Sequence, residues 1–139
     1  MPEPLDPSPG VTPFPRTLAL RVVTMPRDTN HYGTIFGGVI LSYIDQAGFV
    51  EARRHAPCRW VTAAIDRVDF KAPVNLGDIV NFFSQTTRVG SKSVTIRIEV
   101  EAERYIDGAH VQVTTATLVM VAVNDHGQPI LIRDAMARP

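Results

Sequence analysis

From Val94 to Glu101 apolar and polar residues alternate without a break, with Val94, Ile96, Ile98 and Val100 on one side and Thr95, Arg97, Glu99 and Glu101 on the other. A period of two is that of a β-strand with one dry and one wet face. Residues 79–89, 91–106 and 109–124 are all β-rich, separated by turn signals at Gly90 and at Asp107-Gly108, which predicts three consecutive antiparallel strands. Two earlier strands are predicted. One is residues 17–25, rich in branched side chains and closed by Pro26; the other is residues 60–70, where a change of phase near Asp66 and Arg67 marks a bulge. Residues 71–78 read as a connection punctuated by Pro73 and Gly77.

Residues 38–55 carry apolar side chains at helical spacing, open on Gly37-Gly38 and end in Arg53, Arg54 and His55, which suit the negative end of a helix dipole, before Pro57 stops the helix. One long apolar helix followed by a sheet with a single dry face buries both when the sheet wraps the helix. The predicted class is therefore α+β, a long central helix inside a curved antiparallel sheet. The chain divides into a proline-rich arm at 1–16, a domain at 17–132 and a tail at 133–139; after the last strand, residues 125–139 read as little more than a turn at 124–127 and a fraying end.

At 139 residues the chain builds one domain, short enough that an elaborate site borrows surface from a second subunit. Lys plus Arg and Asp plus Glu are each 14, so no global field points to nucleic acid or to a membrane surface as partner. Cys58 is alone, which excludes an intrachain disulfide and fits a reducing cytoplasm. Residues 1–15 hold six prolines, with neither the basic residues nor the apolar core of a signal peptide; the stretch is expected to be extended or disordered. No apolar run approaches the ~20 residues of a membrane span. His31, His55, His110 and His126 are scattered, so no metal site is expected, and no nucleophile-elbow pattern surrounds Ser42, Ser84 or Ser91.

The chemistry concentrates in the segment Asn30-His31-Tyr32-Gly33-Thr34-Ile35-Phe36-Gly37-Gly38 and the helix that follows. The first amides of a helix lack intrahelical partners and sit at positive potential, suited to polarising a carbonyl. Asp45 follows Gly38 by seven residues, and counting at 3.6 per turn places it on the stripe of Leu41, Gly48, Phe49 and Ala52. A carboxylate held on such a stripe loses hydration, which is one way to make a base that works near neutral pH. The turn Arg88-Val89-Gly90-Ser91-Lys92-Ser93 gathers amides, hydroxyls and cations that suit phosphate groups.

On Asn30, Gly33, Phe36-Gly37-Gly38, Asp45, Arg54-His55, Val61-Thr62, Val68-Asp69-Phe70, Pro73-Val74, Gly77-Asp78 and Gly90-Ser91-Lys92-Ser93, the chain resembles the hot-dog-fold acyl-CoA thioesterases, in the acyl-CoA hydrolase branch. The resemblance implies a hot-dog fold, homodimers with shared sites that assemble to tetramers or hexamers, and hydrolysis of an acyl-CoA with no cofactor besides the CoA of the substrate. It further implies that Asp45 acts as base or nucleophile, that Asn30 cooperates from the partner subunit, and that Gly37 and Gly38 hold the thioester oxygen. Thr62 is expected to hydrogen-bond the catalytic water or carboxylate. Phe70, Lys71, Arg88, Gly90, Ser91, Lys92 and Ser93 are expected to bind the substrate and its CoA. Two other functions fit the same pattern: a non-catalytic acyl-CoA sensor, and an enoyl-CoA hydratase or dehydratase. The latter needs a histidine at the helix start, where Phe36 stands.

Overall fold

A computed structural model describes residues 14–136; most of the arm and the last three residues of the tail lie outside the described residues, and with them the expectation of an extended or disordered arm. The described residues form one five-stranded antiparallel sheet curled around a long helix. The strands are β1 (Thr17–Val23), β2 (Arg59–Ile65), β3 (Ile79–Val89), β4 (Ser93–Glu103) and β5 (His110–Val123), and the spatial order is β1-β3-β4-β5-β2. Helix α1 spans Gly37–Arg53, and a short helix α2 spans Ile132–Met136. This is the α+β architecture that the alternating and helical periods predict.

The dry face of the sheet carries Val80 and Phe82 from β3, Val94, Ile96, Ile98 and Val100 from β4, and Val113, Ala116, Leu118 and Met120 from β5. The buried face of α1 is Ile40, Ile44, Ala47, Gly48, Glu51 and Ala52. It is rotated from the expected stripe: Leu41 and Asp45 are half-buried at its border, and Phe49 is exposed. At Gly48 a Cβ would lie 2.9 Å from Leu118 Cδ2, so the helix rests on β5 where it has no side chain.

Two expectations are corrected. The strand predicted at 60–70 ends at Ile65, and its register slips between Thr62 and Ala64 rather than near Asp66. Beyond Ile65 the chain still follows β5, with Asp66 N–H donating to Thr117 O and Lys71 N–H to Val113 O, but the Asp66 carboxylate takes the Arg67 amide and the regular ladder is lost. The tail is also more than a fraying end. Ile130 N–H donates to Ala122 O and Ile132 N–H to Ser91 O, and Ile132 and Ala135 are buried, so ordered structure crosses the boundary drawn after residue 132.

Strand β2 is an outer strand of the sheet, and its far edge has no partner among the described residues. Val61 and Ile65 stay about 40 % exposed there.

Candidate active site

Asp45 faces β2. The strand places Thr62 toward the helix, and the Thr62 hydroxyl donates to Asp45 Oδ1 while lying 3.3 Å from Met120 Sδ. Asp45 Oδ2 has no partner among the described residues. The pair borders a cleft of about 560 Å³ lined also by Leu20, Gln46, Phe49, Trp60 and Val61. A half-buried carboxylate with one oxygen steered by a hydroxyl and the other open to a cleft is arranged to take a proton or to attack a carbonyl.

The helix start lies in a second cavity, of about 380 Å³, lined by Ile35, Gly37, Ile40, Phe70, Lys71 and Val74. The Val39 amide donates to Phe36 O, whereas the amides of Gly37 and Gly38 have no backbone acceptor among the described residues. Phe70 covers Gly37 so closely that a Cβ there would meet its ring at 3.5 Å. Two free amides at the positive end of a helix, in a cavity also lined by Lys71, have the chemistry that suits a developing negative charge.

Asn30 shapes the loop leading into that cavity. Its Oδ1 accepts the amides of Tyr32 at 2.8 Å and Thr34 at 3.3 Å, and its Nδ2 donates to Thr34 Oγ1 at 2.9 Å. Ile35 then ties the loop to the cavity wall through its amide on Val74 O. Within one chain Asn30 and Asp45 are therefore in different places. Gly38 and Asp45 are also two turns apart on α1, about 10 Å along its axis.

The β3–β4 turn is closed by Gly90 N–H on Ser93 O at 2.7 Å. The carbonyls of Ser91 and Lys92 face inward, accepting from Ile132 and Ala122; Arg88, Ser91 and Lys92 are exposed. The expected site residues thus fall into three groups on one chain: Asp45 with Thr62, Gly37 and Gly38 with Phe70, Lys71 and the Asn30 loop, and the 88–93 turn.

One wall of the helix-start cavity is held by Asp78, which is 1 % exposed. Arg104 Nη1 donates to Asp78 Oδ2 at 2.7 Å and to Pro73 O at 2.8 Å, and the amides of Tyr105 and Asn75 complete the carboxylate's bonds. Burial pushes the Asp78 pKa up, but those two amides and the Arg104 guanidinium outweigh it and hold the group below its ordinary 3.8. The cluster fixes residues 73–74, which line the helix-start cavity.

The most deeply buried carboxylate of α1 is one that the predicted stripe did not include. Glu51 is 4 % exposed and accepts 2.7 Å hydrogen bonds from Ser84 Oγ and Thr86 Oγ1. Its spacing of seven from Ile44 is the available signal.

The family model of the Thioesterase superfamily matches residues 32–108. An uncharacterized acyl-CoA thioester hydrolase from Haemophilus influenzae is 38 % identical over 114 residues, 80 % of this chain and 74 % of that protein. Among solved structures, a hexameric broad specificity acyl-coenzyme A thioesterase superposes with a TM-score of 0.80 at 34 % identity, covering 88 % of this chain and 90 % of the other. The acyl-CoA hydrolase of Staphylococcus aureus, solved with butyryl coenzyme A, superposes with a TM-score of 0.73 at 30 % identity, over 81 % and 68 % of the two chains. With its curled sheet, central helix and this degree of identity, the chain belongs to the thioesterase superfamily and has the hot-dog fold.

Proposed function

We propose that this chain hydrolyses acyl-CoA thioesters at sites shared between two copies of itself. The observation that carries the reading is the Thr62–Asp45 hydrogen bond at the mouth of one cleft, with the free Gly37 and Gly38 amides in another. A partner protomer that presents its helix start to the Asp45 cleft supplies the missing half. The exposed edge of β2, which carries Thr62, is the surface on which a second copy pairs. The pairs assemble further, as in the hexameric structural neighbours.

The chain is an acyl-CoA thioester hydrolase. Thr62 orients Asp45 Oδ1, and Oδ2 takes a proton from a water that attacks the thioester carbon. The carbonyl oxygen becomes an oxyanion held by the Gly37 and Gly38 amides of the partner protomer, with the Asn30 loop beside them. Collapse breaks the C–S bond; the thiolate leaves and receives the proton held by Asp45, giving free acid and CoA. Direct attack by Asp45 through a mixed anhydride uses the same groups. Neither route needs a cofactor beyond the CoA of the substrate.

Met120 of β5 pairs with Thr62 on one side and Val94 on the other. The 88–93 turn is therefore about two strand spacings across and a few residues along from the reacting centre, some 15 Å in all, which an extended pantetheine arm spans. Arg88, Lys92 and the Ser91 hydroxyl bind the CoA phosphates there. The lone, buried Cys58 fits a cytoplasmic enzyme.

Thiol release from acyl-CoAs by wild type and Asp45→Asn tests the reading. Hydrolysis that disappears in the variant supports it. Tight binding of CoA esters with no release by wild type identifies a sensor instead.

A further inference from the structure

Of the aromatic residues near the helix, Tyr43 packs on Phe82 in the core with ring centroids 5.7 Å apart, and Phe83 lies under the Arg16 guanidinium on the outer face of the sheet. Phe49 and Trp60 alone among these line the cleft beside Asp45. They differ in freedom: Phe49 is 43 % exposed, whereas Trp60 is 4 % exposed and its indole Nε1–H is fixed on Ala56 O at 3.0 Å. Trp60 and Thr62 share one face of β2, two residues apart.

The cleft has a direction. Every α1 residue lining it lies at or after Asp45, namely Asp45, Gln46, Phe49 and Val50, and the β2 residues are Trp60, Val61 and Thr62. An acyl chain whose carbonyl sits at Asp45 and Thr62 therefore runs toward the C-terminal end of α1, between Phe49, Leu20 and Met120, and meets the indole. Two strand residues advance the chain by about 6.6 Å. At a C–C bond of about 1.5 Å in a staggered chain, that distance holds on the order of five carbons.

We propose that Trp60 is the specificity-determining residue of this enzyme, a fixed stop that restricts it to acyl chains of up to about six carbons. The proposal rests on Asp45 marking the reacting end of the cleft. A second copy roofs the cleft without moving its end, because the indole is buried and hydrogen-bonded within one chain. A methylene that fits contributes roughly tenfold or more in kcat/KM, and one that collides with a rigid wall loses as much.

The test uses the full chain and two measurements. Rates of thiol release are taken for acetyl-, butyryl-, hexanoyl-, octanoyl- and lauroyl-CoA, and binding is measured for the non-hydrolysable thioethers S-butyl-CoA and S-dodecyl-CoA. Wild type is expected to lose at least about tenfold in kcat/KM between hexanoyl- and lauroyl-CoA. Trp60→Val, with Trp60→Phe as the milder change should the first not fold, is expected to raise the lauroyl-to-butyryl ratio by about tenfold or more, Phe less than Val. Equal rates for butyryl- and lauroyl-CoA in wild type, or an unchanged ratio in a folded variant, overturn the proposal. If nothing is hydrolysed the hydrolase reading falls by itself, and the thioethers still decide: preference for S-butyl-CoA that relaxes in Trp60→Val supports the stop, and equal binding of both by wild type removes it.

Discussion

Asp45 and Glu51 stand six residues apart on α1, about 120° around its axis, and their carboxylates meet opposite fates. Glu51 points into the core, where Ser84 and Thr86 hydroxyls and the Arg54 guanidinium, 3.3 Å away, account for both of its oxygens. Asp45 points to the open cleft with one oxygen bound by Thr62 and one free. The buried acid is structural and the half-buried one is available for chemistry.

Removing each acid therefore separates stability from turnover. Asp45→Asn is expected to lose kcat by on the order of 10² or more while its thermal midpoint stays close to wild type. Glu51→Ala takes the carboxylate acceptor from the buried Ser84 hydroxyl and one of the partners of Thr86, whose Oγ1 keeps His55 Nε2 at 2.8 Å, and is expected to cost about 2 kcal/mol of stability. Thiol release and thermal unfolding of the two variants side by side check both.

The proposed sharing of sites between copies carries a prediction of its own. Asp45→Asn and Asn30→Ala, each inactive as a pure protein, are expected to regain activity when co-expressed. With random pairing half of the dimers are mixed and each mixed dimer holds one intact site, so about a quarter of wild-type activity should return. No recovery in demonstrably mixed dimers would place both residues in one protomer's site.

At the 88–93 turn, Lys92→Ala and Ser91→Ala are expected to raise KM for acyl-CoA about three- to tenfold with a smaller effect on kcat. The wild-type KM should rise with ionic strength and the Lys92→Ala KM less so. A steady-state comparison at low and high salt reads this.

The Asp78 carboxylate is held below its ordinary pKa in the folded chain. Its unfolded form therefore binds a proton at higher pH than its folded form. Its contribution to stability is full above the unfolded value of about 4 and is lost as the pH falls through the folded one. The thermal midpoint should drop on acidification below about pH 4, and Asp78→Asn should lower the neutral-pH midpoint while flattening that drop. Arg104→Met, which strands a buried carboxylate, is expected to cost about 3 kcal/mol at neutral pH. Unfolding curves across the acid range decide the sign.

Strand β3 spans the residues its composition predicts, Ile79–Val89, and β4 keeps its strict alternation as a buried and a wet face. Both lie inside the sheet, where pattern and burial coincide. Strand β2 was harder to delimit because it is an outer strand: apolar Val61 and Ile65 stay exposed on it, so pattern and burial do not coincide, and the slip at Ala63 has no turn residue to announce it. Asp45 was legible from its distance to Gly38. The helix face was misjudged because Glu51 is charged yet buried, and its partners Ser84 and Thr86 come from a strand more than thirty residues later. The separation of Asp45 from the helix start is a property of the three-dimensional path that no local spacing encodes.

The bare edge of β2 has a consequence for handling the protein. Among the described residues that edge is a row of unpaired backbone groups flanked by exposed Val61 and Ile65, which is a template for pairing with any extended chain. Substitutions along that edge should therefore register as precipitation during expression before they register in any assay, and the soluble fraction is the sensitive gauge of whether the edge is covered.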